Sequence, residues 1–480
     1  MYHISDLKRF VRCPRYYFLS LQKEVKNPYY LRSDESVIEL LVRHLRIDEH
    51  YQGVMGDTND RFFNEKDNYQ WFVKTRFEDD GLRIRIPLMY RNNDSYTLYF
   101  IFNGTNLREL DLLYYRINIE ILRKLGLKIE NVFIAYINGS YVFDEELDVD
   151  ELFILTDVFK ERKLIDIFDD SKVDYKEIIS RIESNDLDSC PAKKTGACHH
   201  RGVCPYYYEC FQDELTYPED SILTLVSSQH KVKMFEKGIR HLKDADLDLV
   251  EGNRVQFAQI QASKNGGLFV DKYNLLDYLK KFDTRPISFI DFEWDTYLVP
   301  QYKGMKVLDV LPFEFALYVL DENDNLKNYT FVGNKDCRRD FAEDLIKKVP
   351  KTGPVVAYNA MGAECRRINE LAEQFPDLSK DLMAINKRFV DLAVPFIEGI
   401  VYDTRMRGNF TLKKLVSVVS DLTYKDLDIN DGLKAVFNWR ELDMGKEDVD
   451  DEKILKDLIE YCSLDAYGLY LVYKWLLELT

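Results

Sequence analysis

The sequence lacks the features that would place the chain in a membrane or mark it for export. Although 46% of its 480 residues are hydrophobic, no stretch approaches the roughly 20 consecutive apolar residues that a spanning helix needs. Residues 1–6 do not carry the basic segment and apolar run of a signal peptide. We therefore expect a cytoplasmic protein that has no membrane partner.

An excess of positive charge is also missing, because the formal net charge is -17 at pH 7. This balance argues against a single large basic surface. A local groove of lysine and arginine could still bind nucleic acid, since affinity depends on the phosphates neutralised at the contact. The chain has no internal repeat and no low-complexity tract, and its length fits two or three domains.

Residues 1–215 mix helical and strand patterns, which predicts one α/β domain. Two amphipathic helical stretches come first, and two alternating strands, a helix and a further strand follow. In chain order these segments are residues 5–22, 33–50, 82–86, 96–102, 107–125 and 132–137.

Residues 216–284 are predicted to form a helical linker with short breaks. Within it, residues 226–231 lead to Gly238 and Ile239. They could form a small helical hairpin whose backbone N–H groups hold phosphate. An ordinary helical linker is the alternative.

Residues 285–480 are predicted to form a second α/β domain, and its first strand carries paired acids. Asp291 and Glu293 are separated by one residue on an apolar strand. Side chains alternate across a strand, so both acids project from the same face. Two like charges repel unless a cation lies between them. Carboxylate oxygens, water and substrate phosphate are the ligands that Mg²⁺ prefers, so the pair indicates a Mg²⁺ or Mn²⁺ site.

Two further acids follow in a suggestive order. Glu364 comes after the strand 355–358, where a strand pattern passes into a helix. Tyr461 and Asp465 are four residues apart in a helical pattern, and therefore share one helix face.

This order resembles the DEDD exonucleases of the RNase H-like fold, in their Tyr-containing subclass, over residues 286–478. The resemblance implies hydrolysis of nucleic acid from the 3′ end with two Mg²⁺ or Mn²⁺ ions, which stabilise the attacking and leaving oxygens. It assigns Asp291 as the bridging ligand of both ions, with Glu293 and Asp465 completing their shells. It also implies that Tyr461 orients or deprotonates the attacking water, and a free pKa near 10 favours orientation. Glu364 stands where the family usually has aspartate, which lengthens that ligand by one methylene.

Candidate substrate contacts lie around these motifs. Asn359 precedes Glu364 in the loop after the strand, and Lys413 with Lys414 could contact substrate phosphates. A solvated helix face is the alternative for the two lysines. Asp391 could reach the site or cap an element.

Eight cysteines are present, and four of them fall within residues 190–210. Clustered cysteines in a reducing compartment more often bind metal than form disulfides. Cys337, Cys365 and Cys462 lie in periodic or apolar surroundings, so we expect them to be packing residues.

Five residues separate Cys198 from Cys204, and another five separate Cys204 from Cys210. Cys13 lies far upstream. One early cysteine followed by three late ones resembles the iron–sulfur RecB-like nucleases of the restriction-endonuclease-like fold. The resemblance covers residues 1–212 and implies a 4Fe-4S cluster that staples both ends of the domain, with thiolate ligands. A zinc ion is the alternative cofactor. It could also draw on Cys190, His199 and His200.

An active RecB-like nuclease needs carboxylates that this chain does not have. The expected aspartate falls near Pro87 and the expected Glu-x-Lys near Phe100, and neither segment contains a carboxylate or a lysine. Without these ligands no metal can be held for water activation. We therefore expect an inactive, metal-stapled module that binds nucleic acid. The same missing ligands count against the alternative of an active RecB-like endonuclease.

The sequence thus predicts a 3′–5′ exonuclease acting on single-stranded DNA or RNA, fused to a nuclease fold without chemistry. The alternative is a non-catalytic binding or scaffold protein in which both nuclease folds are inactive. The presence of all four carboxylates together with Tyr461 favours the enzyme.

Overall fold

The computed structural model shows a mixed α/β protein. It describes residues 1–23, 31–33, 35–105, 109–170, 174–198, 204–212, 216–424, 427–445 and 450–480. The chain divides into two compact units. Unit 1 comprises Met1–Leu215 and the segment Tyr297–Asp309, whereas unit 2 comprises Thr216–Thr296 and Val310–Thr480. The predicted linker 216–284 therefore belongs to the same unit as the C-terminal region.

Unit 1 contains a mixed sheet and short helices. Its elements, in chain order, are β1 Tyr2–His3, α1 Ile4–Arg12, α2 Pro14–Gln22, β2 Leu31–Arg32, α3 Val37–His44, β3 Tyr51–Gln52, α4 Asn59–Glu65, β4 Trp71–Asp79, β5 Leu82–Asn92, β6 Ser95–Phe102, α5 Glu109–Lys124, β7 Lys128–Ile137, α6 Val149–Leu152, β8 Phe153–Asp157, α7 Arg162–Asp170, α8 Tyr175–Glu183 and α9 Tyr207–Cys210.

The strands of unit 1 run in the order β3-β4-β5-β6-β7-β8, and β1 pairs in parallel with the start of β5. β5 alternates between buried apolar residues and more exposed polar ones, as a strand covered on one face requires. Its inward residues Leu82, Ile84 and Ile86 join one hydrophobic core with Leu98 and Ile134. The strands and the helix predicted between residues 82 and 137 are confirmed, with longer strands than the sequence pattern indicated.

The predicted helix 5–22 is two helices, because Cys13 adopts an extended backbone conformation between them. Proline at position 14 explains the break. Its ring disfavours a helical conformation in the preceding residue, but it is well tolerated in the first turn of a new helix. The break leaves Cys13 at the junction of α1 and α2.

Unit 2 contains a second mixed sheet and longer helices. Its elements are α10 Lys231–Glu236, α11 Arg254–Lys264, β9 Leu268–Val270, α12 Lys272–Leu279, β10 Ile287–Tyr297, β11 Val310–Leu320, β12 Leu326–Val332, α13 Arg338–Lys348, β13 Val355–Ala357, α14 Glu364–Gln374, α15 Ser379–Asn386, β14 Phe389–Asp391, α16 Val394–Ile397, β15 Val401–Asp403, α17 Leu412–Val419, α18 Gly432–Asp443 and α19 Asp451–Glu478.

In this sheet the strand order is β12-β11-β10-β13-β14. β10, β11 and β12 are antiparallel neighbours, whereas β13 and β14 run parallel to β10. β10 pairs with β13 only at Ser288 and Phe289. Residues 291–293 therefore lie beyond the end of β13, where the following loop and α14 can approach them.

β11 and β12 form a hairpin, with a turn at residues 321–325. Asp321 organises this turn, since its carboxylate accepts hydrogen bonds from the backbone N–H groups of Asn323 and Asn325, both at 2.9 Å. This side-chain to backbone bonding is the usual reason why aspartate favours turns.

The predicted phosphate-binding hairpin forms a short helix, α10, followed by Gly238 at a φ of 91°. Its entry amides already have acceptors: the N–H of Gln229 donates to Glu251 at 2.8 Å, and that of His230 donates to Ser228 at 3.2 Å. The carboxylate of Glu251 thus takes the place that a phosphate would need, which favours the linker interpretation.

Throughout the described residues, no helix combines the length and the apolar character that crossing a membrane requires.

Candidate functional site

Three of the predicted ligands converge in unit 2. Asp291 and Glu293 lie on β10, and Asp465 lies in the middle of α19. Each can place a carboxylate oxygen within 4.8 Å of the other two. Asp291 and Glu293 are partly exposed, and Asp465 is buried. This cluster of like charges is held in place by strand alternation on β10 and by the packing of α19 against β11.

Glu364 is the first residue of α14, and it lies close to the cluster without joining the 4.8 Å group. Its side chain is buried, and its Oε2 atom has no hydrogen-bond partner among the described residues. A buried carboxylate oxygen without a partner is costly unless a ligand completes it. The predicted fourth acid is therefore adjacent to the cluster and can offer this oxygen to a cation.

Glu314 is a further acid that no pattern in the sequence singled out. It lies on β11 directly opposite Glu293 in the antiparallel pair. The side chain is completely buried, and neither carboxylate oxygen has a partner among the described residues. Burial raises the pKa of Glu314 well above its ordinary value, and the negative charge of Glu293 raises it further.

Burial is also the main cause of the raised pKa values of the predicted ligands. It raises the pKa of Asp291 well above its ordinary value, and Asp465, Glu293 and Glu364 each raise it further. The pKa of Glu293 is raised to about 8, by burial and then by Asp465. Burial and the nearby Asp391 raise the pKa of Glu364 to about 8. The site therefore favours any cation that can replace these protons.

Tyr461 is fixed beside this cluster by hydrogen bonds. Its hydroxyl accepts a bond from Lys413 Nζ at 2.8 Å and interacts in turn with Asp465. Burial and these acids raise the pKa of Tyr461 far above 10, so the hydroxyl stays protonated. A protonated hydroxyl can orient a water molecule, which is one of the two roles that the resemblance implies for Tyr461.

Lys413 is the predicted substrate lysine that the structure brings to the site. Besides Tyr461, it donates to the carbonyl of Asn430 at 2.9 Å, and it lies over the rings of Tyr424 and Tyr461. Tyr424, which sequence reasoning missed, donates to Asp465 Oδ1 at 2.7 Å. Lys413 therefore has a positioning role in addition to any contact with phosphate.

Lys414 does not share this environment. It is partly buried, and burial followed by the nearby Arg407 lowers its pKa. Acidic neighbours, Glu219 and Asp403, act on it in the opposite direction. Of the two predicted lysines, only Lys413 contacts Tyr461 among the described residues.

Asn359 and Asp391 shape the loop that presents Glu364. Asn359 is exposed and has a φ of 55°, and its backbone N–H donates to Asp391 Oδ1 at 2.9 Å. The same oxygen accepts the N–H of Ala393 at 2.9 Å. Asp391 therefore fixes the turn after β13 and caps its own strand, which is one of the two roles that the sequence left open.

Asp295 continues the acidic series on β10 but has a structural partner. It is fully buried, and its two carboxylate oxygens accept bonds from Nε of Arg440 at 2.8 Å and from Nη2 at 2.5 Å. Arg440 lies on α18, whose first residue, Gly432, is close to Glu293: a Cβ there would lie 3.4 Å from Glu293 Oε2. This bidentate pair therefore anchors the helix that closes over Glu293.

The predicted packing cysteines Cys337, Cys365 and Cys462 are all buried, as expected. Cys462 lies one residue from Tyr461, and its Sγ contacts the backbone carbonyl of Asp291 at 3.5 Å. It therefore packs α19 onto β10 at the position of the cluster.

In unit 1 the junction of α1 and α2 meets the segment 187–210 through side-chain bonds. Arg15 donates to the carbonyls of Leu187 at 3.1 Å and Cys190 at 3.0 Å. Tyr206 donates to the carbonyl of Lys23 at 2.7 Å. The early and late parts of the unit are thus joined independently of any metal.

The four predicted cysteine ligands share this junction and are free thiols. Burial raises the pKa of Cys204 and of Cys210, and Cys13 raises both further. Cys198 also raises the pKa of Cys204, and its carbonyl accepts the N–H of Cys204 at 2.8 Å. The alternative zinc ligands His199 and His200 lie outside the described residues.

Among the described residues, no three cysteine sulfurs lie within 4.8 Å of one another.

Comparison with known proteins gives one family match. The model of a domain of unknown function, DUF2779, matches residues 288–411. The matched region contains Asp291, Glu293 and Glu364, and it ends before Lys413, Tyr461 and Asp465. No curated protein matches the chain.

Proposed function

We propose that unit 2 is a metal-dependent 3′–5′ exonuclease of the RNase H-like fold. The observation that carries this proposal is the convergence of Asp291, Glu293 and Asp465 within 4.8 Å. The buried Glu364, whose Oε2 has no partner among the described residues, raises the pKa of Asp291. The 3′–5′ direction is inferred from the resemblance of these motifs to the DEDD exonucleases.

The donor set fits Mg²⁺ or Mn²⁺, because it consists of carboxylate oxygens, which these ions prefer together with water and phosphate oxygens. Asp291, which interacts with all three other acids, would hold two ions together with Glu293, Glu364 and Asp465. Two such ions would stabilise the attacking and leaving oxygens of the phosphodiester.

The remaining residues would position the reacting groups. Tyr461 keeps its proton and can hydrogen-bond the attacking water, while Lys413 fixes its hydroxyl. Tyr424 holds Asp465 in one orientation through its 2.7 Å bond. Such bonds to metal ligands and their neighbours fix the ligands and tune the metal site.

For unit 1 we propose a RecB-like module without hydrolytic activity that carries a 4Fe-4S cluster or a zinc ion on Cys13, Cys198, Cys204 and Cys210. Thiolates are the ligands that such a cluster takes, and they also suit zinc as the alternative. The bonds from Arg15 to residues 187 and 190 hold the same two chain segments together.

The test is hydrolysis of 5′-labelled single- and double-stranded DNA and RNA by the full chain with Mn²⁺. We expect a ladder that shortens from the 3′ end of linear strands, and no cleavage of a circular single strand. Cleavage of the circle would contradict an exonuclease, and the absence of any hydrolysis would contradict an enzyme.

A further inference from the structure

A basic cavity in unit 1 has no part in the proposed chemistry. It has a volume of about 380 Å³ and lies between β4, β5 and β6 on one side and α1 and α5 on the other. Its cationic lining residues are Lys8, Arg76, Arg83 and Arg85, and no carboxylate is present among the described lining residues. This local charge contrasts with the net charge of -17 for the whole chain.

The charges facing one another along β4 and β5 differ from one pair of residues to the next. Glu78 and Arg83 are directly opposite in the β4–β5 ladder and form an ion pair. Arg76 and Arg85 are opposite each other two positions further along. Like charges directly opposite in a sheet are destabilising. The fold therefore tolerates a repulsive pair of arginines at the cavity wall.

Two of the lining residues each have a buried polar atom without a partner among the described residues. Nη1 of Arg76 is buried and has no hydrogen-bond partner among the described residues. Asn118 is only 6% exposed, and its Oδ1 is likewise unpartnered there, although its amide nitrogen donates to Tyr114. Buried polar groups are normally satisfied, so such atoms point to a ligand that completes them.

Aromatic rings also line the cavity. Phe100 and Tyr115 are stacked at 4.4 Å between ring centroids, and Lys8 lies 4.6 Å from the centroid of Tyr114. Arginines that bind phosphate, together with rings that stack on bases, form the usual combination in sites for single-stranded nucleic acid. A purely anionic ligand such as an acidic peptide would make no use of the rings.

We propose that this cavity binds a nucleotide unit of a single nucleic acid strand. Arg76 and Arg85 bind its phosphate, the tyrosines contact the base, and Asn118 Oδ1 accepts a bond from an exocyclic amino group. The proposal gives a location to the binding role proposed for unit 1, and it does not depend on hydrolysis in unit 2. The phosphate is either an internal one or the 5′ end of the strand.

The test is fluorescence anisotropy with the full chain in EDTA, which prevents hydrolysis. The probe is a 3′-fluorescein oligodeoxyadenylate of about ten nucleotides, a length within the site sizes of single-strand binding folds, with a 5′-phosphate or a 5′-hydroxyl. Arg85→Gln and Arg76→Gln should each weaken binding about tenfold or more, because a charge-assisted bond contributes about 1.5–3 kcal/mol. Each should lower the slope of log K against log salt by about 0.7. Equal affinity of the two probes indicates an internal phosphate, and preference for the 5′-phosphate indicates the strand end.

The matched control is Arg91→Gln, which removes the same charge from the same strand but outside the cavity, where Arg91 pairs with Asp67. It should bind the probe like the parent protein. The cavity variants should melt no lower than the parent, because each relieves the repulsion between Arg76 and Arg85. A parent-like affinity of both cavity variants, or an equal loss in the control, would overturn the proposal.

Two further arms distinguish recognition of a nucleotide from simple attraction between opposite charges. Oligothymidylate, which lacks an exocyclic amino group, should bind more weakly than oligodeoxyadenylate. Polyglutamate should compete poorly at equal charge, and efficient competition would overturn the assignment to nucleic acid. Asp465→Asn should retain binding whether or not it hydrolyses, so failure of the exonuclease proposal is distinguished from failure of this one.

Discussion

Replacing Asp291 with asparagine distinguishes two effects on the stability of unit 2: repulsion between the carboxylates and stabilisation by a bound cation. The change preserves the shape of the side chain and removes one of the charges that repel one another in the cluster. In the absence of divalent cations we expect Asp291→Asn to be as stable as the parent or more stable. With Mn²⁺ we expect the parent to gain stability and the variant to gain little.

The size of the expected stability change follows from the distance between the carboxylates. At 4.8 Å and an effective dielectric constant of about 20, two full charges repel by roughly 3 kcal/mol. Partial protonation of the cluster reduces this, so we expect the variant to gain about 1–2 kcal/mol, or roughly 2–8 °C in the melting temperature. A cation at about 100 times its dissociation constant stabilises the parent by about 2.7 kcal/mol.

The sign of the pH dependence is fixed by the direction of the pKa shifts. Glu293 and Glu364 have pKa values of about 8 in the folded protein, against an ordinary value of 4.5. The folded state therefore binds more protons between these values, and stability without divalent cations must fall as pH rises from about 4.5 to 8. Stabilisation by Mn²⁺ should be larger at pH 8 than at pH 6, because fewer protons compete for the site.

The assay is differential scanning calorimetry of the full chain at pH 6 and pH 8, with EDTA or Mn²⁺. The transition of unit 2 is identified as the one that responds to the cation. A parent and a variant that gain equally from Mn²⁺ would refute the site. A stability in EDTA that rises from pH 6 to pH 8 would refute the electrostatic reasoning.

Three further predictions concern residues around the two sites. Arg440→Met should reduce the free energy of unfolding by about 3–5 kcal/mol in chemical denaturation, because it removes the cationic partner of the buried Asp295 carboxylate. Lys413→Met should reduce the hydrolysis rate about 10–100-fold with the fold intact by circular dichroism, because Tyr461 loses its partner, and an unchanged rate would contradict the positioning role. Anaerobically purified protein should be brown, and Cys13→Ser should bleach it and lower the melting temperature of unit 1. Stoichiometric zinc in a colourless protein would favour the alternative metal, and metal-free protein that is equally stable after the change would contradict the staple.

The acids of the candidate site could be predicted because they depend on local periodicity. Asp291 and Glu293 follow from strand alternation, and the Tyr461–Asp465 pair follows from helical spacing. Their convergence depends on the chain order of the strands and helices, for which the resemblance to a known arrangement was needed.

Residues that enter the site through pairing register could not be predicted in the same way. Glu314 faces Glu293 only because β10 and β11 pair in one particular register, with a shift directly after Glu293. Tyr424 and Arg440 come from loops and helices far along the chain from the acids they bind. Nothing in their own sequence surroundings distinguishes them from solvent-exposed residues.

The basic cavity of unit 1 also depends on strand register, which the sequence does not reveal. The absence of carboxylates near Pro87 and Phe100 is evident from the sequence, and both residues line the cavity. That Arg76 faces Arg85 could not be predicted, because this contact also depends on strand register.

The proposal that unit 2 is a metal-dependent exonuclease is tested by the rate of mononucleotide release from a 3′-labelled single strand with Mn²⁺. This rate is compared between the parent and Asp465→Asn. Glu460→Gln is the matched control, since it removes an equal charge from an exposed position on the same helix. Loss of a metal ligand removes several kcal/mol of transition-state stabilisation. We therefore predict a loss of about a thousandfold or more in Asp465→Asn and a parent-like rate in the control. Undiminished release by Asp465→Asn would contradict the account.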